Sequence, residues 1–430
     1  MNEYLDAWGI ISGLGAGLAL FLYGMERLTG SLNSLAGPEL TRMLAAVTNN
    51  RLKAATTGAI ITAIIQSSSI TTVMCVGFIS AGLITLKQAV GVILGANVGT
   101  TITAQVFAFD ITRLAFPLII VGMLLRLVAS RKLVHHLGTV IFGLGLLFFG
   151  MVLMSHSTYP LRQHPAFLDL MKSLSHPLLG LLAGAGFTAL IQSSSATTGL
   201  VIVLAGQGSL TLEAGLALVL GANVGTCFTA LLATLGKSRL ALQAALVHVV
   251  FNLAGALLWL PFLQLLGRWA QAISPVGDLP RQIANAHTLF NLSSAMVFLA
   301  ITPQVARFVS WLAPETPKTA AELERPLYLD LAYLEIPSLA LDQVRLEVTR
   351  YGEWVHRQTR KVLTTFVSAS LDDFRQLETE IKQGLTLHDS MLSYMARLHQ
   401  QGLERPLALR LQRDLVIANA YHTVATVLAG

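Results

Sequence analysis

A cluster of uncharged polar residues, Gln66-Ser67-Ser68-Ser69, sits inside a long apolar stretch, and it recurs 126 residues later as Gln192-Ser193-Ser194-Ser195. The same shift, without a gap, relates other landmarks. Gly17-Leu-Ala-Leu-Phe-Leu-Tyr-Gly24-Met25 matches Gly143-Leu-Gly-Leu-Leu-Phe-Phe-Gly150-Met151, and Leu94-Gly-Ala-Asn-Val-Gly-Thr100 matches Leu220-Gly-Ala-Asn-Val-Gly-Thr226. A chain that duplicates a unit of this length must build its fold from two copies of one architecture. Polar groups at membrane depth need partners or a cavity, so duplicated polar clusters in hydrocarbon-like surroundings mark the place to look for function.

Composition separates two regions. Only 12% of the 430 residues are charged, against about 25% in an ordinary soluble domain. Residues 1–303 hold 15 Lys/Arg and 8 Asp/Glu, whereas the shorter remainder holds 14 and 15. The first part therefore reads as membrane-embedded and the second as water-exposed. The net charge of +6 falls near the ends of expected spans, so it does not argue for nucleic-acid binding. The two cysteines, Cys75 and Cys227, lie in apolar stretches and imply neither a disulfide framework nor a metal site. The N-terminus has no basic leader, so no cleaved signal peptide is expected.

The expected architecture is an all-α polytopic membrane protein of two inverted repeats, each with a re-entrant helical hairpin and a broken helix, plus a small C-terminal helical bundle. Repeat 1 covers residues 1–126 and repeat 2 residues 127–266. An extra transmembrane helix lies in 267–313, and a cytoplasmic helical domain fills 314–430. A helix from about Trp8 to Leu28 is followed by a short interfacial segment from Pro38. Residues 54–82 and 178–206 read as hairpins with their tips at the Gln-Ser-Ser-Ser clusters. Two arms of about 12 residues each rise about 18 Å, roughly half the hydrocarbon thickness. Irregular backbone at that depth is tolerated only against protein or a cavity. The paired Gly-Ala-Asn-Val-Gly-Thr stretches predict breaks in the spans over 85–109 and 211–235. Further spans are expected over 114–130, 134–155, 240–262 and 282–303, with interfacial chain over 160–175.

Three crossings per unit turn the second unit upside down. Ten Lys/Arg, among them Arg51, Arg126 and Lys237, fall on one side, and five, among them Arg113, Arg162 and Arg268, on the other. This bias puts the N-terminus outside and the C-terminal domain in the cytoplasm of a cell with this protein in its inner (plasma) membrane. The tail carries three apolar stripes, led by Leu341, Val344, Val348 and Tyr351, by Leu377 and Ile381, and by Leu407, Leu411 and Leu415, which predict a small antiparallel bundle.

Backbone N–H groups at half-helix N-termini suit an oxyanion, and hydroxyl and carbonyl oxygens suit Na+. The Ser-Ser-Ser run of each cluster opens the second half-helix and could cradle phosphate or sulfate. Gln66 and Gln192 could orient that anion or hold Na+. Asn97, Thr100, Asn223 and Thr226 lie at the expected breaks, where freed carbonyls could complete cation sites. A single serine in such a chain would read as helix packing, but a Gln-Ser-Ser-Ser cluster duplicated in register does not. Asp110 and Glu26 fall near span ends, so a carboxylate proton relay is disfavoured and Na+ coupling gains. His248 and Asn252, one turn apart, and the similar His287 and Asn291 read as interhelical contacts. In the tail, Asp372, Asp373, Glu378 and Glu380 read as a solvated helix start rather than a metal site. There is no nucleophile–base constellation, so no enzyme is expected.

The paired Gln-Ser-Ser-Ser and Gly-Ala-Asn-Val-Gly-Thr motifs, with His248-Val-Val-Phe-Asn252, resemble the type II sodium–phosphate cotransporters over about residues 10–303. The stretch Leu334-Glu-Ile-Pro-Ser-Leu-Ala-Leu341 resembles the PhoU-related domain of bacterial members. The resemblance implies inorganic phosphate and Na+ as ligands, a homodimer in the lipid bilayer and elevator-like alternating access. It also implies a phosphate site lined by Gln66, Ser67, Ser68, Ser69, Gln192, Ser193, Ser194 and Ser195. Thr71, Thr72, Thr197 and Thr198 join Asn97, Thr100, Asn223 and Thr226 as sodium-site candidates, Na+ being the coupling ion and the one metal expected. Cys227 stands where the first repeat has Thr101, so the two cation sites are not expected to be equivalent. The tail, at about 115 residues, is short for a tandem PhoU-like domain. The reading is a Na+-coupled phosphate symporter. Its alternatives are a transporter or exporter of another oxyanion, and a phosphate-binding membrane sensor that signals through its tail.

Overall fold

The computed structural model describes residues 7–45, 50–80, 84–109, 114–129, 131–232, 234, 239–314, 326–329, 331–335, 337–368, 371–403 and 405–429. Asp110, Arg113, Lys237 and most of the charged linker after Pro314 lie outside them. Every regular element among the described residues is helical. Among the described residues six helices are long and apolar enough to cross a membrane, or seven if a pair bent by 101° counts as one span. The protein is a multi-pass membrane protein.

Helix α1 (Ala7–Ala45) is followed by α2 (Arg51–Ile65), α3 (Ser68–Ser80), α4 (Leu86–Phe107) and α5 (Ala115–Val128). The second unit repeats this order with one further short helix, α7, at positions that the shift maps onto the end of α1: α6 (Lys132–Thr158), α7 (Pro165–Ser173), α8 (Pro177–Ile191), α9 (Ser194–Gly206), α10 (Leu212–Leu232) and α11 (Arg239–Trp259). Then come α12 (Leu263–Ala272), α13 (Leu279–Ala300) and α14 (Thr302–Leu312), and in the tail α15 (Pro337–Ser368), α16 (Leu371–Gln400) and α17 (Arg405–Ala429).

Several expectations need correction. The interfacial segment expected from Pro38 is not separate, because α1 continues through it to Ala45. At 14 residues, α5 rises only ~21 Å, short of the ~30 Å hydrocarbon thickness. The amphipathic helices α12 and α14 were not anticipated. Each buries one narrow stripe, such as Leu263, Leu266 and Ala270, too short to register as a span.

The largest correction concerns the broken helices: α4 and α10 run unbroken through both Gly-Ala-Asn-Val-Gly-Thr stretches. Their glycines serve close packing rather than unwinding. A Cβ on Gly95 would stand 1.8 Å from the Ala55 carbonyl oxygen of α2, and one on Gly221 would stand 2.1 Å from the Leu181 oxygen of α8. Only a helix face without side chains lets another backbone approach so closely. One turn away the two units solve the same contact in opposite ways. In the first, Ala54 of α2 meets Gly91 of α4, and in the second, Gly180 of α8 meets Ala217 of α10. The Gly91→Ala change places a Cβ 2.8 Å from that of Ala54 and is expected to lower the melting temperature. Adding Ala54→Gly recreates the arrangement of the second unit and is expected to restore it. A double variant no more stable than Gly91→Ala would show that this contact does not limit stability.

Helices α1 and α6 pack antiparallel through reciprocal contacts. A Cβ on Gly24 would lie 2.5 Å from the Gly143 oxygen, and one on Gly150 would lie 2.5 Å from the Gly17 oxygen. The 126-residue shift maps Gly17 onto Gly143 and Gly24 onto Gly150, so each position meets the counterpart of the other. Helix α13 contacts α4, α9, α10 and α11 and so ties the two units together. Its C-terminal carbonyls at Leu299 and Ala300 accept from Arg51 at 3.4 Å, and Arg281 near its start donates to Gln105 of α4 at 3.0 Å.

In the tail, α15, α16 and α17 pack mutually, and the expected stripes supply the core: Leu341, Val344, Val348, Tyr351, Leu377, Ile381 and Leu411 are buried. Trp354 stacks on Tyr351 and packs over Gly384. Glu378 and Glu380 pair with Lys382 and Lys361, while the side chains of Asp372 and Asp373 lie outside what the structure describes.

Candidate functional site: two polar helix tips

Among the described residues, the two non-glycine residues with left-handed backbone are Gln66 (φ 60°) and Gln192 (φ 59°). Such a conformation is costly for an L-residue and marks a place where the fold demands it. Each glutamine ends a helix, its N–H closing the last turn on Thr62 at 2.7 Å or on Thr188 at 2.6 Å. The next residue starts the following helix: Ser67 Oγ accepts from the Ile70 N–H at 3.3 Å, and Ser193 Oγ from the Ala196 N–H at 3.2 Å. Serine is a good N-cap because its short side chain reaches the first-turn donors.

The chain reverses at each tip. Thr62 and Thr71 share a hydroxyl hydrogen bond of 2.7 Å, as do Thr188 and Thr197. In a straight helix, residues nine apart would be separated by about 13.5 Å along the axis, so these bonds require two arms folded together. The arms hold 15 and 13 residues in both units.

This geometry sets two opposite helix ends side by side. The last carbonyls of α2 and α8 have no partner within their helices, and neither do the first N–H groups of α3 and α9. Ser67 and Ser193 each occupy one of those donors, which leaves the N–H groups of Ser68 and Ser69, and of Ser194 and Ser195, facing outward from the helix start. The carbonyls of Ile64 and Ile65, beyond those of Thr62 and Ala63, remain as acceptors. Each tip thus presents a partly positive and a partly negative helix end with no ionised side chain.

The two tips are not alike. The Gln66 carboxamide is held at both ends: its oxygen accepts from Thr103 of α4 and its nitrogen donates to the Ala63 carbonyl. Among the described residues, Gln192 is exposed and its side chain makes no hydrogen bond, while the matching hydroxyl, on Thr229, is buried without a partner. Thr103 and Thr229 were missed in the sequence, although the shift relates them and they lie six residues past the duplicated Asn.

The remaining candidates fall in two groups. Thr71 and Thr197 clasp the arms, and the Thr72 hydroxyl donates to the Ser68 carbonyl at 2.8 Å; Thr198 is buried beside its clasp. Thr100 and Thr226 bond back to Asn97 and Ala222 of their own helices, so the unbroken spans keep their carbonyls occupied. Asn97 donates to Asn252 at 2.9 Å, and Asn223 donates to Asn291 at 3.2 Å. Asn223 also meets His287 Nε2 at 3.2 Å. Asn252 and Asn291 donate in turn to the carbonyls of His248 and His287. Asn252, Asn291 and the His287 ring therefore make interhelical contacts, as the sequence implied, and lock α4 to α11 and α10 to α13, while His248 contributes its backbone carbonyl. Cys227 also approaches the His248 carbonyl at 3.8 Å, where the first unit has Thr101.

No hydrogen bond joins one tip directly to the other among the described residues. Instead the second arms cross over: α3 packs on α11 of the second unit and α9 on α4 of the first. No cluster of three His, Cys, Asp or Glu residues able to hold a metal occurs among the described residues. A cation at the tips would meet neutral oxygens.

A family model described as Na+/Pi-cotransporter matches residues 20–156 and 166–273. Over 259 residues the chain is 36% identical to "Uncharacterized protein YqeW" of Bacillus subtilis (strain 168), which covers 60% of this chain and 84% of that one. It is 28% identical over 388 residues to "Putative inorganic phosphate export protein YjbB" of Escherichia coli (strain K12), covering 90% of this chain and 70% of that one. An 85-residue segment is 51% identical to "Sodium-dependent phosphate transport protein 2C" of Homo sapiens, 19% of this chain and 14% of the human protein. No solved structure matches the chain.

Proposed function

The chain belongs to the Na+/Pi-cotransporter family, and from that premise we propose that it is a secondary transporter carrying inorganic phosphate together with Na+. Family membership supports phosphate transport and a non-enzymatic role. The observation that carries the finer reading is the duplicated tip, where a helix C-terminus and a helix N-terminus meet at a left-handed glutamine. The N–H groups of Ser68, Ser69, Ser194 and Ser195 are suited to phosphate oxygens, for which helix N-termini provide donors and a favourable dipole. The free carbonyls at the ends of α2 and α8, with the hydroxyls of Thr71, Thr72, Thr197 and Thr198, offer neutral oxygens to Na+. Such a tip can hold a cation beside an anion, so that each lowers the cost of burying the other.

In this reading residues 1–126 and 127–266 are inverted repeats, a view supported by the reciprocal antiparallel contact of α1 and α6. The hairpins enter the bilayer from opposite sides and the site lies between their tips. The N-terminus is outside, residues 314–430 are cytoplasmic, and two copies pair in the inner membrane. The Escherichia coli relative, named for export, favours a second reading in which the net flow is outward.

The test is uptake of radiolabelled phosphate into proteoliposomes under an inward Na+ gradient, with K+ replacing Na+ in the control. The expected outcome is uptake at least tenfold faster with Na+. Equal uptake in both salts would remove the coupling and keep the transporter. Phosphate binding without flux would replace the transporter with a sensor.

A further inference from the structure

The C-terminal bundle reaches back to the first hairpin. Tyr333, in the 3-10 turn Leu331–Glu335 that precedes α15, is 4% exposed, and its hydroxyl donates to the Val73 carbonyl of α3 at 2.7 Å. Val73 lies one turn beyond Ser69, on the arm that carries the polar tip. The contact is not a graze: Met74, Cys75 and Phe78 of α3 belong to one continuous core with Tyr333, Leu341 and Val344.

The segment bearing Tyr333 is itself anchored to α15. Glu347 is fully buried, and one of its carboxylate oxygens accepts the N–H groups of Leu327 at 2.8 Å and Tyr328 at 2.7 Å. The other oxygen accepts from Arg350 Nε at 2.6 Å, which balances the charge. A buried carboxylate survives in a fold only when paired and hydrogen-bonded in this way. Helix α15 in turn packs on α1, which packs along α6. Beside the direct packing of α1 on α2, a second path from the α1–α6 pair to the hairpin thus runs through α15, Glu347, the strap that carries Leu327 and Tyr328, and Tyr333.

We propose that this strap is a restraint by which the C-terminal bundle holds the first hairpin against α1 and slows its movement. The proposal rests on reading α2 and α3 as a moving part of the transport site. An arm that shifts relative to α1 must break the Tyr333 bond and strip its contacts, so the docked arrangement is the slow one. Whatever undocks the bundle would speed transport without touching the residues that hold the substrate.

Tyr333→Phe tests this in the full-length protein, since it removes one hydroxyl and keeps the ring in the core. The expected result in proteoliposomes is a maximal phosphate flux raised by up to about fivefold with an unchanged KM, the factor that one net hydrogen bond supplies. Cys75, two residues from Val73 and fully buried, is a natural reporter. Its alkylation by a membrane-permeant maleimide should quicken by a similar factor, while Cys227 on α10 reacts as before. A flux that stays level or falls, with Cys75 no more reactive than in the parent, overturns the restraint. If neither protein carries phosphate, the transport reading fails, and Cys75 reactivity still decides whether the strap holds the arm.

Discussion

Replacing Gln66 or Gln192 with glycine is expected to cut phosphate transport roughly 10- to 150-fold, with the fold as stable as before or more so at Gln192, and at Gln66 with the relieved strain set against the lost bonds to Thr103 and Ala63. The two effects separate because each glutamine does two things. Its backbone adopts left-handed angles, φ 60° and φ 59°, which cost an L-residue about 1 kcal/mol or more and glycine nothing. Its carboxamide is the one side chain at the turn that carries a donor NH2 and an acceptor oxygen on separate atoms. Losing a hydrogen bond to an ion costs about 1.5–3 kcal/mol, or roughly 10- to 150-fold in rate. A glycine variant that melts at or above the parental temperature and fails to transport would assign the loss to the side chain. Alanine at the same positions should lose transport equally and melt below the glycine variants, by about 1 kcal/mol of stability, because it keeps the strain that glycine relieves. Glycine variants with parental flux would remove both glutamines from the site. The Gln66 change should also free the Thr103 hydroxyl, whereas the Gln192 change disturbs no existing bond.

Gly95→Val and Gly221→Val should prevent folding altogether. A Cβ at either position falls 1.8 or 2.1 Å from a backbone carbonyl oxygen of the facing hairpin arm, and a backbone cannot move aside as a flexible side chain can. Helices α2 and α8 would have to shift bodily, which breaks the contact along their whole length and costs well over ~3 kcal/mol. The readout is folded, monodisperse protein after detergent extraction, expected to be near zero for both variants. Gly15→Ala and Gly186→Ala are the controls. Nothing stands within 4 Å of a Cβ at either site, so each should gain about 0.5–1 kcal/mol from helix propensity. If the valine variants fold as well as these controls, the close approach of α2 to α4 is not the contact that holds the unit together.

These two cases also show where the sequence is readable. The 126-residue repeat, the apolar spans, the hairpin tips and the three tail helices follow from local pattern: period, polarity and caps are written in residues close together in the chain. Family membership follows from the same motifs. The duplicated Gly-Ala-Asn-Val-Gly-Thr stretch misled, because glycine in an apolar helix signals unwinding and close packing equally well. Only the carbonyl of Ala55, forty residues away in the chain, decides for packing. Likewise the hold of Thr103 on Gln66, the pairing of Asn97 with Asn252, and the reach of Tyr333 to Val73 join residues 37, 155 and 260 apart. The sequence by itself determined that this protein lives in a membrane, repeats itself, and carries two uncharged polar tips. The tertiary structure alone decided which hydroxyl holds which carboxamide and which helix end meets which, because those choices depend on packing between segments that no local period encodes.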